Sequence, residues 1–554
     1  MLISWTLFSC LSFISWAKAE FDPGDNISVH SEASIGKFLH IVTGKILFIN
    51  YNNVVLFRSD LRNLFPDSQN KTLAIISISP EWADSSICND KVYNCAQCYE
   101  FQNAAVIRGK EQIKSTPVLM ELPQFDISQA KSIQLDLGWT KICTNLTYLP
   151  NGEISAKAIL EDYHVASKRK LAEIEIKEYP IREYSEIVIE HVQMPIDQLF
   201  LYDRPIDSSI TSIPCSETVI GQKKNIEWLD AVSELISVPG TSSTSLKIHD
   251  ALLTNSNSLL GSTFFAKING IAVCGTVKLQ YEEMEKVIYG AVFADKIQAW
   301  VKLSQSSSEN SAFIMPVEMS YFIIEENEEK RSKMEKAFAL LDIVTPNSIC
   351  KSAIPFDPFK IMSSTKLTEC QNDKQLCPLG ALSKRAASLK IGIRKHIVIE
   401  DLPLTGPIGN KISGHSIRIK TQDGHVDCAL LERWYETPFR FVVQSNRSLE
   451  NIQDELASKL DVKPFQIAIE YTRELHEDMC SIYNIVLTAN INSTQHFLSK
   501  FDMYEKRFFG EQPVPCSKEE MSRLASSNSV SGVPTTINWF SPTILSLFFI
   551  NLFL

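Results

Sequence analysis

Basic charge is in short supply. The 554-residue chain carries 54 Lys and Arg against 65 Asp and Glu, a formal net charge of -11, and no basic stripe gathers its cations. Binding to a phosphate backbone rests on clustered cations, so nucleic acid is excluded as a partner class. Local catalytic signatures are missing as well. The sequence has no G-x-S-x-G elbow, no H-E-x-x-H, no EF-hand loop, no P-loop and no G-x-G-x-x-G. That removes the enzyme classes whose reactive groups are set out along one short segment. His476-Glu477 has no second His four residues on, so it lacks the paired imidazoles of a zinc protease. No cofactor and no catalytic residue is expected. A site assembled from distant segments is the form of enzyme that stays open.

Charge is absent from both ends too. An apolar run over residues 3 to 16 is preceded by no Lys or Arg and ends in Ala17-Lys18-Ala19. Small residues in an A-x-A pattern suit signal peptidase, which predicts cleavage between Ala19 and Glu20. At the other end, the apolar stretch 537–554 is followed by nothing charged, whereas a single-pass anchor ordinarily carries Lys or Arg on its cytoplasmic side. Small residues lie upstream at Ala525-Ser526-Ser527-Asn528-Ser529, then a polar spacer through Thr536. Those are the three parts of a GPI-attachment signal, with Ser527 the first choice for lipid attachment and Ser526 and Asn528 beside it. On this reading the tail is removed and a GPI lipid holds the chain to the membrane.

Cysteine is plentiful. Thirteen are present, and Cys10 leaves with the signal peptide. Cys88, Cys95, Cys98, Cys143, Cys215, Cys274, Cys350, Cys370, Cys377, Cys428, Cys480 and Cys516 remain, an even set that predicts six disulfides in an oxidising compartment. Their pairing does not follow from the sequence. Spacing suggests a small loop between Cys370 and Cys377. Cys95-Ala96-Gln97-Cys98 matches C-x-x-C but has no second ligand pair at zinc spacing, so two structural half-cystines are expected. Asn26, Asn70, Asn145, Asn446 and Asn492 each begin an N-x-S/T sequon, and each is therefore expected on the surface with a glycan. Two weak metal candidates remain: His415, His425 and Asp427 around a turn at Asp423-Gly424, and Asp22 with Asp25 near the mature N-terminus. Neither outweighs ordinary exposed polar residues.

The composition, 44% hydrophobic and 21% charged, is that of a globular chain. Short runs rich in Ile, Val and Phe recur from about 35 to 215, among them 45–51, 54–59 and 72–79. Several alternate apolar and polar residues, as 171–176 does, which fits strands with one face buried. Asn151-Gly152 marks a turn. A helix is expected near 326–342, with Met334, Phe338 and Leu341 on one face and i,i+4 Glu–Lys pairs on the other. Further on, 440–444 reads as a strand. Leu449, Ile452, Leu456 and Leu460 share a helical face behind Ser448 as N-cap. The runs 466–475 and 481–491 read as an antiparallel pair, and Phe497, Phe501, Tyr504 and Phe508 mark a second helix. This β-α-β-β-α order resembles that of juxtamembrane SEA domains in element order alone. Met479-Cys480-Ser481-Ile482 stands where a self-cleaving module carries Gly-Ser and valines, so no autoproteolysis is expected.

The sequence therefore predicts a mainly β fold, with β-sandwich-like N-terminal modules and an α+β C-terminal part. Expected boundaries are 1–19 signal peptide, 20–215 β-rich, 216–345 mixed, 346–520 α+β, 521–536 attachment region and 537–554 removed tail. Glycans, disulfides and a lipid tether together suggest a surface glycoprotein that works by binding an extracellular protein or glycan. The competing expectations are a GPI-anchored hydrolase and a structural coat component.

Overall fold

The computed structural model describes residues 28–496 apart from intervening segments, the longest of which are 64–71, 109–117, 207–214, 230–242, 308–314, 326–337, 359–376 and 445–452. The chain is mainly β, as its alternating runs require. The first eight strands are β1 (Ala33–Leu39), β2 (Val42–Tyr51), β3 (Val54–Asn63), β4 (Thr72–Ser79), β5 (Tyr99–Arg108), β6 (Val118–Leu122), β7 (Ser132–Asp136) and β8 (Lys141–Leu149). They pair in the order β2-β1-β8-β7-β4-β5-β3-β6, and β2 also pairs with β3, so the sheet curls round on itself. Phe48, Phe57, Ile76, Ile133 and Leu146 fill the inside of the curl. Ile35, Leu47, Ile49 and Leu56 point the other way, into a second core. Burial on both faces explains why 46–49 reads Ile-Leu-Phe-Ile without a polar break. The β2–β3 hairpin closes over Asn52-Asn53, whose φ values of 44° and 67° are tolerated by asparagine in a two-residue turn.

Asn151-Gly152 carries the chain out of the curl, with Gly152 at φ 66° as the turn requires. A second sheet follows: β9 (Ile154–Asp162), β10 (Arg169–Tyr179), β11 (Tyr184–Glu190), β12 (Ile196–Tyr202), β13 (Ser243–Ile248), β14 (Thr263–Ile268), β15 (Ile271–Thr276) and β16 (Lys278–Leu279). Its order is β12-β14-β15-β9-β10-β11-β13, with β16 beside β9. Ala156, Ala158, Leu160, Ile174, Ile176, Ile187 and Phe264 cover the outer wall of the first sheet and share its second core.

The remaining strands are β17 (Glu285–Phe293), β18 (Ile297–Ser307), β19 (Val317–Glu325), β20 (Phe338–Val344), β21 (Leu389–Lys390), β22 (Lys395–Ile399), β23 (Ser416–Thr421), β24 (Val426–Leu430), β25 (Glu432–Gln444), β26 (Ile467–Leu475) and β27 (Cys480–Ala489). A seven-stranded sheet runs β22-β19-β18-β17-β25-β27-β26, and a four-stranded sheet runs β21-β20-β23-β24. They face one another across a core of Val301, Leu303, Met319, Tyr321, Leu341, Ile343, Ile417 and Ile419. Strand β25 joins two neighbourhoods. Glu432 to Trp434 pair with β17, and Tyr435 to Gln444 pair with β27. Pro438 falls on the stretch that has left β17, where a missing N–H costs no ladder bond on that side. On the outer face of the large sheet Phe465 stacks on Trp300 at 3.9 Å between ring centres, with Trp434 6.2 Å away and Ile288 beneath.

The C-terminal elements follow the expected order. Helical residues at 453–454 and 456–458 separate β25 from the antiparallel pair β26–β27, and a helix at 491–496 follows. Asn490 starts that last helix, its Oδ1 accepting the Ser493 N–H at 2.7 Å. One expectation is corrected. The C-terminal part of the helix expected over 326–342 is strand β20, in which Ala339, Leu341 and Ile343 are buried while Leu340 is exposed. The period there is two, and pairing with β23 decides it against a short helical pattern. Residues 326–337 lie outside the described residues, as do Ser448, Leu449, Ile452 and Leu460 and the 497–508 face.

Candidate functional site

Among the described residues four cysteine pairs are joined: Cys88–Cys143, Cys95–Cys98, Cys215–Cys274 and Cys350–Cys428. Cys377 is also disulfide-bonded. Cys370 and Cys516 lie outside the described residues, as does the Cys480 side chain. The pairing was illegible in the sequence because each long bridge joins segments brought together by strand order.

The sequons divide. Asn492 is exposed in the first turn of the 491–496 helix. Asn145 is not on the surface, which corrects the expectation for that sequon. It lies in the middle of β8 with 4% of its surface exposed, and its Oδ1 accepts the Ala83 N–H at 3.1 Å. Burial there leaves no room for a glycan on the amide in the folded chain. Mass spectrometry of glycopeptides should find Asn492 occupied and Asn145 bare. Asn145→Ala should leave the glycan mass unchanged and cost about 1–3 kcal/mol by orphaning the Ala83 donor. Asn26, Asn70 and Asn446, together with Ala19, Glu20, Asp22, Asp25, Ser526, Ser527 and Asn528, lie outside the described residues.

The candidate metal hairpin does not assemble. His415 precedes β23 and packs edge-on against Phe356 at 4.6 Å, whereas His425 follows the turn at the far end of the same hairpin. Six extended residues separate those ends, about 20 Å. Among the described residues no group of three metal-ligating side chains converges. Ser320 and His396 do meet, Oγ to Nδ1 at 3.1 Å, but both are sealed in the large sheet at 1% and 6% exposure. A substrate has no approach to that pair.

The densest polar cluster lies where the first two sheets touch. Lys45 (β2) and Arg58 (β3) reach across to Glu183 in the β10–β11 turn, at 3.6 and 2.8 Å, and Arg58 also donates to the Ile181 carbonyl at 3.2 Å. Glu183 sits at φ 52°, a left-handed conformation that a non-glycine residue adopts at some cost, offset here by its two cations. Behind it Glu178 is fully buried. Its Oε2 accepts the N–H groups of Leu253 (2.5 Å) and Thr254 (3.0 Å), its Oε1 accepts the Thr254 hydroxyl, and Lys45 donates to that hydroxyl. Ile35, Lys45, Leu47, Arg58, Asp60 and Pro180 line a shallow cleft beside it, with room for about one water molecule. Glu183 takes up both cations, and Asp60 pairs with Arg62 at 3.9 Å. The chemistry of the cluster is cross-linking of the two sheets. The sequence did hold a signal for it: in 171–179 Glu178 occupies the inward phase set by Ile174 and Ile176, a charged residue at a core position.

Burial pushes the Glu178 carboxyl up from 4.5, against the opposing pull of Lys45 and the three hydrogen bonds. A carboxyl raised in the folded state contributes stability that is complete below its unfolded value and is lost as pH rises through the folded one. Glu178→Gln keeps the side-chain shape and, with its carbonyl oxygen at the Oε2 position, the acceptor for the Leu253 and Thr254 N–H groups, and it removes the titration. The difference in unfolding free energy between variant and wild type should therefore move in favour of the variant as pH rises above about 4.5. Denaturant titrations at several pH values check this, and a difference independent of pH would contradict it. Asp342, raised by burial beside Arg418, titrates in the same sense in both proteins and cancels.

Among the described residues no helix is long and apolar enough to cross a membrane. The chain matches no family model, and no curated protein or solved structure matches it.

Proposed function

We propose that the chain is a GPI-tethered glycoprotein of the cell surface that acts by binding an extracellular protein or glycan. The observation that carries this reading is the disulfide network. Three of the four described bridges span 55 to 78 residues and tie separate parts of the fold. Cross-links of that kind persist in oxidising compartments and are rare in the cytosol. The apolar run at 3–16, the sequon at exposed Asn492, the small residues at 525–529 and the apolar tail at 537–554 agree with the same route to the surface. A chain held by lipid alone has no cytoplasmic part, so any signal passes through a transmembrane partner.

Treatment of intact cells with a phosphatidylinositol-specific phospholipase C tests the tether. The expected result is release of the ectodomain into the medium, read with an antibody. The released protein should bind back to cells that carry its partner. Release without any saturable rebinding to cells or matrix would count against the binding role.

A further inference from the structure

One of the four described disulfides differs in kind from the others. Cys95–Cys98 spans 3 residues, whereas Cys88–Cys143, Cys215–Cys274 and Cys350–Cys428 span 55, 59 and 78. A cross-link constrains the unfolded chain in proportion to the logarithm of the loop it closes. The short bridge is therefore the one that contributes least to stability. It closes only a turn, which the Cys98 N–H already holds by donating to the Cys95 carbonyl at 3.1 Å.

Other contacts also hold the surroundings. The short helix α1 (Asp90–Tyr93) precedes the turn and β5 follows it. Val92 and Tyr93 are buried, and the Ser79 hydroxyl donates to the Val92 carbonyl at 2.7 Å. Upstream, Cys88 is tied to β8 through Cys143. The pair itself is partly open to solvent. Cys95 and Cys98 are half-buried, with Asn94, Ala96, Gln97 and Tyr99 exposed around them, whereas Cys274 is fully buried and Cys215 and Cys88 are nearly so. Cys350 and Cys428 are half-buried too, but their bridge closes a 78-residue loop, so the short span is what sets Cys95–Cys98 apart. A partly accessible bridge that closes only a short turn is the type that exchanges with external thiols.

We propose that Cys95–Cys98 is a thiol–disulfide exchange site that accepts two electrons from an extracellular dithiol. The Val92 carbonyl oxygen lies 3.3 Å from Cys98 Sγ. An acceptor at that position disfavours negative charge on Cys98, so Cys95 is the better leaving group. One thiolate of the dithiol attacks Cys98 Sγ. The Cys95–Cys98 bond breaks, and its electron pair leaves on Cys95, which takes up a proton. The second thiol of the reductant, as thiolate, then attacks its own sulfur in the mixed disulfide. That closes the reductant's disulfide and releases Cys98, which protonates and donates to Val92. The chain gains two electrons and two protons, and the dithiol loses the same.

The test uses the full-length protein from a secretory host, under native conditions, with limiting dithiothreitol. Free thiols are alkylated at intervals and mapped by peptide mass spectrometry while near-ultraviolet circular dichroism follows the fold. Cys95 and Cys98 should be labelled at least about tenfold faster than any other pair, with the dichroism unchanged. A Cys95→Ser, Cys98→Ser double variant should fold and lose the fast thiols. Labelling no faster than at Cys88 and Cys143, labelling only as the dichroism collapses, or a double variant that does not fold would each overturn the proposal.

Discussion

Phe465→Ala should lower the free energy of unfolding by about 3–5 kcal/mol, the cost of emptying a buried aromatic site. Phe465 is 7% exposed and packs between Trp300 and Trp434, which are themselves 7% and 3% exposed. Trp300 belongs to β18 and Trp434 to the stretch of β25 paired with β17, while Phe465 sits in the turn Pro464–Gln466 that leads into β26. The three rings thus pin the turn before β26 to the face of the large sheet. Truncating the middle ring opens a cavity and also exposes two indoles. Denaturant titration reads the first effect and a red shift of tryptophan emission the second. Gly290→Ala should act on the same joint from beneath, because a Cβ there would come within 2.0 Å of the Trp434 ring. Ile491→Ala, at a side chain 58% exposed, serves as the control and should stay within about 0.5 kcal/mol of wild type.

Replacing Cys215 and Cys274 together by alanine should cost about 4 kcal/mol on the chain-entropy account of a loop this long. The bridge spans 59 residues, and it ties the segment before the short helix Glu217–Ile220 to β15 in the second sheet. Cys274 is fully buried and Cys215 is 7% exposed, so the free thiols of a single variant would be trapped in the core. Thermal unfolding of the double variant against wild type measures the loss. Secreted yield should fall with it, because chains below the stability threshold are retained and degraded. An unchanged midpoint would mean that the second sheet holds the 215–220 segment without the cross-link.

Local pattern made much of this fold legible, and its limits are specific. Strand β4 is the run 72–79 and β10 contains the alternating 171–176, because one buried face leaves a period of two in the residues. Pairing order left no such trace. Closure of the first sheet depends on β3 meeting β5 over Leu61 and Arg62, a contact between residues far apart in sequence. The segment 267–281 reads as one strand-like run, yet Asn269-Gly270, at φ 50° and 79°, folds it into the β14–β15 hairpin. Strand β20 is hidden by neighbouring charge: the Glu–Lys spacing at 326–333 favours a helix, and the helical pattern runs five residues into 338–344. The sequon at Asn145 shows the same limit at a site. Its three-residue motif carries no information about β8, whose burial pattern places both Asn145 and Leu146 inside.

The tether is the claim on which the functional account rests, and the covalent end of the mature chain decides it. Protein isolated from its native membrane would be digested and its C-terminal peptide identified by mass spectrometry. The account requires a peptide that stops at Ser527, or at the neighbouring Ser526 or Asn528, and bears an ethanolamine-linked glycan. A mature peptide that still contains Ile537 to Leu554 would contradict it and make that stretch the membrane anchor itself.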